Sequence, residues 1–206
     1  HSHFRNTGDD ALASWAPAGQ GEANTGNVMR FNTVQVPWRA NCYAIYGGSD
    51  NRIEDSVCAD VVTYPGILLA QQFKSWPFGG TTAVERVTLL RAGGSMWGQQ
   101  HGALKILALE GALSGIHIAD VQIDSPTFAG IQIQGPLDVS NISVEQVTID
   151  GPGTHGIEIT GDARGAASFS AVTVMNAGRD GLRNAAPAQT FEVRDAGGNQ
   201  GWNAGA

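Results

Sequence analysis

Asp9 and Asp10 stand side by side in Asn6-Thr7-Gly8-Asp9-Asp10-Ala11-Leu12, at a glycine turn that opens a short apolar strand. Adjacent carboxylates suit cleavage of a glycosidic bond, in which one acid protonates the leaving oxygen and another group activates water. A bare Asp-Asp pair is also common among solvated turn residues, so the surrounding chain has to decide. Counting back from an inward Leu12, strict strand alternation turns Asp10 into the core and Asp9 toward solvent. Gly8 permits a bend that breaks this count and brings both to one surface. An inward, unpaired carboxylate is costly, which favours the bend.

The elements that must position the pair recur along the chain. Val121-Gln122-Ile123-Asp124 leads to Gly130-Ile131-Gln132-Ile133, and Val147-Thr148-Ile149-Asp150 leads to Gly156-Ile157-Glu158-Ile159. Each unit reads as two short alternating strands separated by a glycine-containing turn. The opening stretch aligns without gaps on Asn176-Ala177-Gly178-Arg179-Asp180-Gly181-Leu182. Anchors at Leu12, Ile45, Ile67, Ala103, Ile131, Ile157 and Leu182 give an irregular period of about 20 to 40 residues, the mark of a solenoid with variable loops. The strands are too short and the helical signal too poor for a βαβ series. The predicted fold is all-β: a right-handed parallel β-helix of about seven coils forming a single domain over residues 1–206. Asp60, Asp124 and Asp150 share one offset from their anchors, which predicts a column of turn residues bonded to backbone. His155 reads as a surface turn residue. Gln132, Glu158 and Arg183, outward in the second half, read as scaffold.

Composition narrows the chemistry. The net charge of −7, without a lysine or arginine run, argues against nucleic acid and mildly against a polyanionic substrate. A neutral polymer fits better. The sequence offers no apolar run long enough for a membrane span. Two cysteines, Cys42 and Cys58, make neither a disulfide framework nor a metal-ligand set, and suit one bridge or two buried thiols. No EF-hand-like ligand series is present, so no cofactor is expected, with structural calcium in a solenoid loop the one compatible ion.

Four of the five tryptophans fall on or beside loops of the first half, at Trp15, Trp38, Trp76 and Trp97. Aromatic faces on loops suit stacking against a sugar polymer, and equally suit covering the ends of coils. Tyr46 is the better candidate, because an inward Ile45 turns it outward on the sheet face that Asp10 leads into. Trp15, Trp38, Arg39, Tyr46 and Asp60 are the candidate substrate-binding residues beside Asp9 and Asp10.

Several stretches are familiar. Asn6 to Ala13, Phe31-Asn32-Thr33-Val34-Gln35-Val36-Pro37-Trp38-Arg39-Ala40-Asn41-Cys42 and Ala44-Ile45-Tyr46-Gly47-Gly48-Ser49-Asp50-Asn51 resemble the α-1,3-glucanase (mycodextranase) family, glycoside hydrolase family 87, as do Tyr64 to Ala70 and Gly102 to Ile106. The resemblance implies a secreted, extracellular microbial enzyme that hydrolyses α-1,3-glucan with inversion, in a groove along one sheet. It makes Asp9 and Asp10 the pair that polarises water, helped by a further aspartate one coil upstream that has no counterpart here. On this reading the chain is the C-terminal part of the catalytic β-helix, inactive alone. Upstream coils and an N-terminal β-sandwich of the parent would then be its missing partners. Trp202 is expected to lie over the last coil. A non-catalytic carbohydrate-binding β-helix and a polygalacturonase-like enzyme are the alternatives, the latter opposed by the acidic balance and the lack of a Gly-His-Gly element.

Overall fold

Val, Ile and Leu at every second position leave each strand with one face to bury, and this chain buries it by winding into a stack. The computed structural model describes residues 1–202, and among them every regular element is a strand. Seven short strands form one parallel sheet: Leu12–Trp15, Tyr43–Tyr46, Ile67–Gln71, Leu104–Ala108, Ile131–Gln134, Ile157–Ile159 and Leu182–Asn184. A second parallel sheet stacks longer strands, among them Arg52–Ala59, Thr82–Leu90, Leu113–Asp124 and Asp138–Asp150. The two alternate along the chain, which gives the parallel β-helix and its seven coils.

The register corrects two anchors. Leu12, Tyr43, Ile67, Leu104, Ile131, Ile157 and Leu182 are the residues that stack. Ile45 pairs with Ser14 and Leu69, and Ala103 precedes its strand. The error at Ile45 is two residues, so its inward orientation survives. Tyr43 was not among the anchors read from the sequence. Here it is fully buried, with its hydroxyl 3.0 Å from the Asn32 carbonyl and 3.1 Å from that of Val57.

The corners are made without glycine almost throughout. Asn6, Val36, Asp60, Arg91, Ser125, Gly151 and Asn176 form one column with φ between 45° and 64°. Each of the first six coils' corner amides donates to the carbonyl one position earlier in the next coil, as in Asn6 to Gln35 and Ser125 to Asp150. A second column, Phe31, Asp55, Arg86, Asp120, Gln146 and Ala171, folds the long sheet in the same left-handed way. The short strand read before each turn, such as Val121 to Asp124 or Val147 to Asp150, is therefore the end of a long strand bent at one residue. Left-handed backbone costs a non-glycine residue about 1 kcal/mol or more, and the ladder on both sides holds it there.

Asp124 and Asp150 stack in register, but their carboxylates accept from side chains rather than backbone, Asp124 from Gln122 Nε2 at 3.0 Å and Asp150 from Asn176 Nδ2, one corner place further on, at 2.7 Å. Asp60 does not join them. It lies one place further on, in the left-handed column, and its carboxylate accepts from Arg91 Nε at 2.6 Å. His155 is buried rather than a surface turn residue, with Nδ1 3.2 Å from the Asp180 carboxylate. Trp202 packs edge-on against Phe169 and donates its indole N–H to the Val172 carbonyl.

The bore between the sheets holds the core, including Ile45, Ile53, Leu69, Leu89, Ile106 and Ile123. It also holds a disulfide between Cys42 and Cys58, both fully buried, with Cα atoms 5.9 Å apart. The bridge ties the second coil to the third. For a closed loop with a separation of 16 residues, replacing both cysteines by alanine is expected to lower stability by about 3 kcal/mol. The urea midpoint of the double variant measures this, and a midpoint equal to the parent's would refute it.

Candidate functional site

Asp10 precedes the first short strand, in the irregular segment after the left-handed Asn6. There the alternation counted back from Leu12 no longer applies, and the carboxylate comes out on the outer face of the short sheet. Three donors converge on it. The Asn41 backbone N–H and Nδ2 donate to Oδ1 at 3.0 and 2.7 Å, and the Tyr46 hydroxyl donates to Oδ2 at 2.7 Å. Burial, and after it the charge of Asp10, push the Tyr46 phenol far above its ordinary value, so it stays a donor. Asp9 Oδ1 accepts the Asp10 backbone N–H at 2.9 Å, while the residue itself is exposed. The pair thus divides into a carboxylate clamped from the next coil and a carboxylate open to water.

The register explains the clamp. With Leu12 opposite Tyr43, Asn41 falls opposite Asp10, and the Ala11 amide donates to the Asn41 carbonyl at 3.0 Å. Trp38 lies over Gly8, where a Cβ would stand 2.7 Å from the indole Cζ2. Its backbone N–H donates to the Thr7 carbonyl at 3.1 Å, so the two turn loops stack.

Trp15 neighbours Tyr46 in register and donates its indole N–H to the Phe73 carbonyl, while the Phe73 ring meets Tyr46 edge-on at 5.3 Å between centroids. Trp15, at the end of its strand, and Trp38 and Phe73, on loops, are all exposed. Arg39 and Tyr64 share the field of the carboxylates. Partial burial raises the Tyr64 phenol, Arg39 opposes this, and Asp10 and Asp9 reinforce it. The structure therefore brings Asp9, Asp10, Trp38, Arg39 and Tyr46 to one region with Trp15 beside them. Asp60 stands apart from the hydrogen-bonded cluster, taken up by Arg91.

Sequence reasoning gave no role to Asn41, Tyr64 or Phe73. Asn41 was recoverable from the register once Tyr43 is the anchor. Phe73 carried no signal beyond its place on a loop. Further along the outer face, Lys105, Gln132, Glu158 and Arg183 stack in register, with Gln132 Nε2 donating to Glu158 at 3.0 Å and Arg183 3.6 Å from Glu158. Among the described residues, no group of three or more His, Cys, Asp or Glu side chains is gathered as a metal ion would need.

The comparisons with known proteins agree with this fold. The family model described as the alpha-1,3-glucanase catalytic domain D2 matches residues 1–202. A GH87 α-1,3-glucanase catalytic domain solved in complex with nigerose is 32% identical, with a TM-score of 0.87 over 96% of this chain and 40% of that one. An aspartate-to-alanine variant of a GH87 α-1,3-glucanase, solved with tetrasaccharides, is 32% identical at a TM-score of 0.88, with the same coverage. The catalytic unit of the thermostable enzyme from Streptomyces thermodiastaticus strain HF3-3 is 28% identical at 0.83, over 98% of this chain and 40% of that one. The chain thus spans about two fifths of the length of these relatives. No curated protein sequence matches it. A parallel β-helix carrying the clamped Asp10 on its groove face, matched by the family model along the whole described length, places this chain in the α-1,3-glucanase catalytic domain D2 family.

Proposed function

We propose that this chain forms part of the catalytic β-helix of a secreted glycoside hydrolase that cleaves α-1,3-glucosidic bonds with inversion. The observation that carries the reading is the Asp10 carboxylate, held by Asn41 and Tyr46 beside a solvent-open Asp9 on one groove face. In this mechanism Asp9 and Asp10 orient and deprotonate the attacking water, with Asp10 fixed in direction by its three donors. Trp15, Trp38 and Arg39 contact the glucan on either side. Inversion needs an acid about 6.5–9.5 Å from the base, across the scissile bond, to protonate the leaving oxygen.

That acid is proposed to come from polypeptide outside these 206 residues. Support comes from the solved GH87 relatives, in which three different aspartates were changed to alanine: two are neighbours in sequence, and the third stands roughly two dozen positions before them. The ligands of those relatives, nigerose and tetrasaccharides, support an α-1,3-linked substrate here. The fully buried disulfide supports an oxidising, extracellular location.

The test is a sugar panel on the full-length enzyme, comparing α-1,3-glucan, nigeran, dextran and polygalacturonate, with the anomer of the first product followed by NMR. Release of β-configured sugars from α-1,3-glucan is expected. Cleavage of dextran or polygalacturonate in its place, or α-configured first products, would overturn the assignment.

A further inference from the structure

Trp97 is 79% exposed at the tip of a small antiparallel hairpin, Ser95–Met96 paired with Gln99–Gln100, inserted between the corner residue Arg91 and the short strand Leu104–Ala108. A large apolar ring held this far into water on a loose loop would mean little. This hairpin is built in place. The His101 amide donates to the Gly94 carbonyl at 2.9 Å, and a Cβ at Gly94 would stand 2.4 Å from the Val62 carbonyl. Gln132 reaches up from the sheet and donates to the Gln100 carbonyl at 3.1 Å.

Beneath the tip lies a chain of contacts down to the sheet. The Trp97 ring meets Tyr64 edge-on at 6.2 Å, and Tyr64 stacks on the His101 imidazole at 5.0 Å with 21° between planes. His101 is buried, and its Nδ1 lies 3.2 Å from Lys105 Nζ. Lys105 is 2% exposed, with its side chain on the outer sheet face and His101 as the one hydrogen-bond partner of its amine among the described residues. Burial, and then Lys105, lower His101 to about 4, so the ring is neutral and accepts from the lysine. Burial lowers Lys105 itself to about 8. A cation and an imidazole buried under an aromatic shelf cost stability that a loop of no function need not bear. They fix the height and tilt of Tyr64 and Trp97.

The shelf stands within electrostatic range of the catalytic region, since Tyr64 lies in the field of Arg39, Asp10 and Asp9. Asp10 belongs to the first coil, Tyr64 to the third and Trp97 to the fourth. At about 4.8 Å per coil the shelf therefore sits on the order of 10–15 Å along the axis from the pair. We infer that Trp97 and Tyr64, propped by His101 on Lys105, form a remote sugar-binding subsite that grips an α-linked glucan some units away from the bond being cut. The inference rests on the glucan-hydrolase reading above. Its occupant is a neutral hexose polymer, because the exposed surface is aromatic and the cation beneath it is covered. Trp97 is a specificity-determining residue for chain length and lies outside the reacting centre.

The experiment separates this from the catalytic reading. In the full-length enzyme carrying Asp10→Asn, binding to insoluble α-1,3-glucan is measured by sedimentation, with and without Trp97→Ala. The second change is expected to weaken binding about tenfold, and Trp97→Phe to restore most of it. In the active enzyme, Trp97→Ala is expected to raise KM on the polymer about tenfold, while leaving kcat/KM unchanged for the shortest oligosaccharide cleaved. Unchanged glucan binding, or an equal loss on the shortest substrate, would overturn the subsite. If the parent binds glucan through Trp97 yet hydrolyses none, the subsite stands and the catalytic reading falls.

Discussion

Changing Asp9 or Asp10 to Asn in the full-length enzyme is expected to lower turnover on α-1,3-glucan by about 10²–10⁴-fold, with little change in binding. The hydrogen bonds explain why the loss should be chemical. In Asp10→Asn the amide oxygen still accepts from Asn41, and the new NH₂ meets a Tyr46 hydroxyl that can turn to accept. In Asp9→Asn the oxygen that receives the Asp10 amide remains. Shape and bonding are kept, and what disappears is the charge and basicity facing water. Rates within a few-fold of the parent for both variants, measured as reducing ends released, would refute the assignment.

Gly47→Ala should be the most damaging single methyl added near the site. Gly47 follows Tyr46 directly, adopts φ 61°, and leaves a Cβ no room, since it would stand 1.7 Å from the Trp76 carbonyl oxygen. The obstacle is backbone, and it is pinned by the Gly48 amide donating to that same carbonyl at 3.2 Å. Left-handed strain together with overpacking gives a loss of about 4 kcal/mol, or roughly 10 °C in Tm for a domain of this size. Because the displaced segment carries Tyr46, hydrolysis should fall as well. Gly26→Ala isolates the strain: φ is 66° and nothing lies within 4 Å of its Cβ, so about 1 kcal/mol is expected. Calorimetry showing equal losses for the two would sink the argument.

The parts of the architecture legible in the sequence were those that depend on alternation. Apolar residues at every second position placed Ile131, Ile157 and Leu182 in one stacked column and turned Tyr46 outward, and both hold. Corners were legible only in part, because beside Asn6, Asp60, Gly151 and Asn176 the left-handed residue is a Val, Arg or Ser held by its neighbours, which leaves no compositional mark. That is why Asp60 misled. It lies seven positions before Ile67, as Asp124 lies seven before Ile131, yet its turn is one residue longer and its true counterpart is Ser125. Asn41 was hidden for a related reason. Anchoring the second coil on Ile45 rather than Tyr43 slid the strand by two and took Asn41 out of line with Asp10. The hairpin bearing Trp97 is an insertion at the same corner, and an insertion has no repeat to be read against.

The Cys42–Cys58 bridge has a consequence for how such a stack comes apart. Coils touch only their neighbours, so a solenoid that is heated or pulled frays from its ends inward, one coil at a time. Asp10 lies one coil before Asn41 and Tyr46, and Tyr64 one coil after them, so the site spans three neighbouring coils. A covalent link inside the bore between the second and third coils makes those two leave together or not at all. The residues that receive Asp10 thus stand on the cross-linked pair, while Asp9 and Asp10 are joined to that pair by the chain and by hydrogen bonds alone.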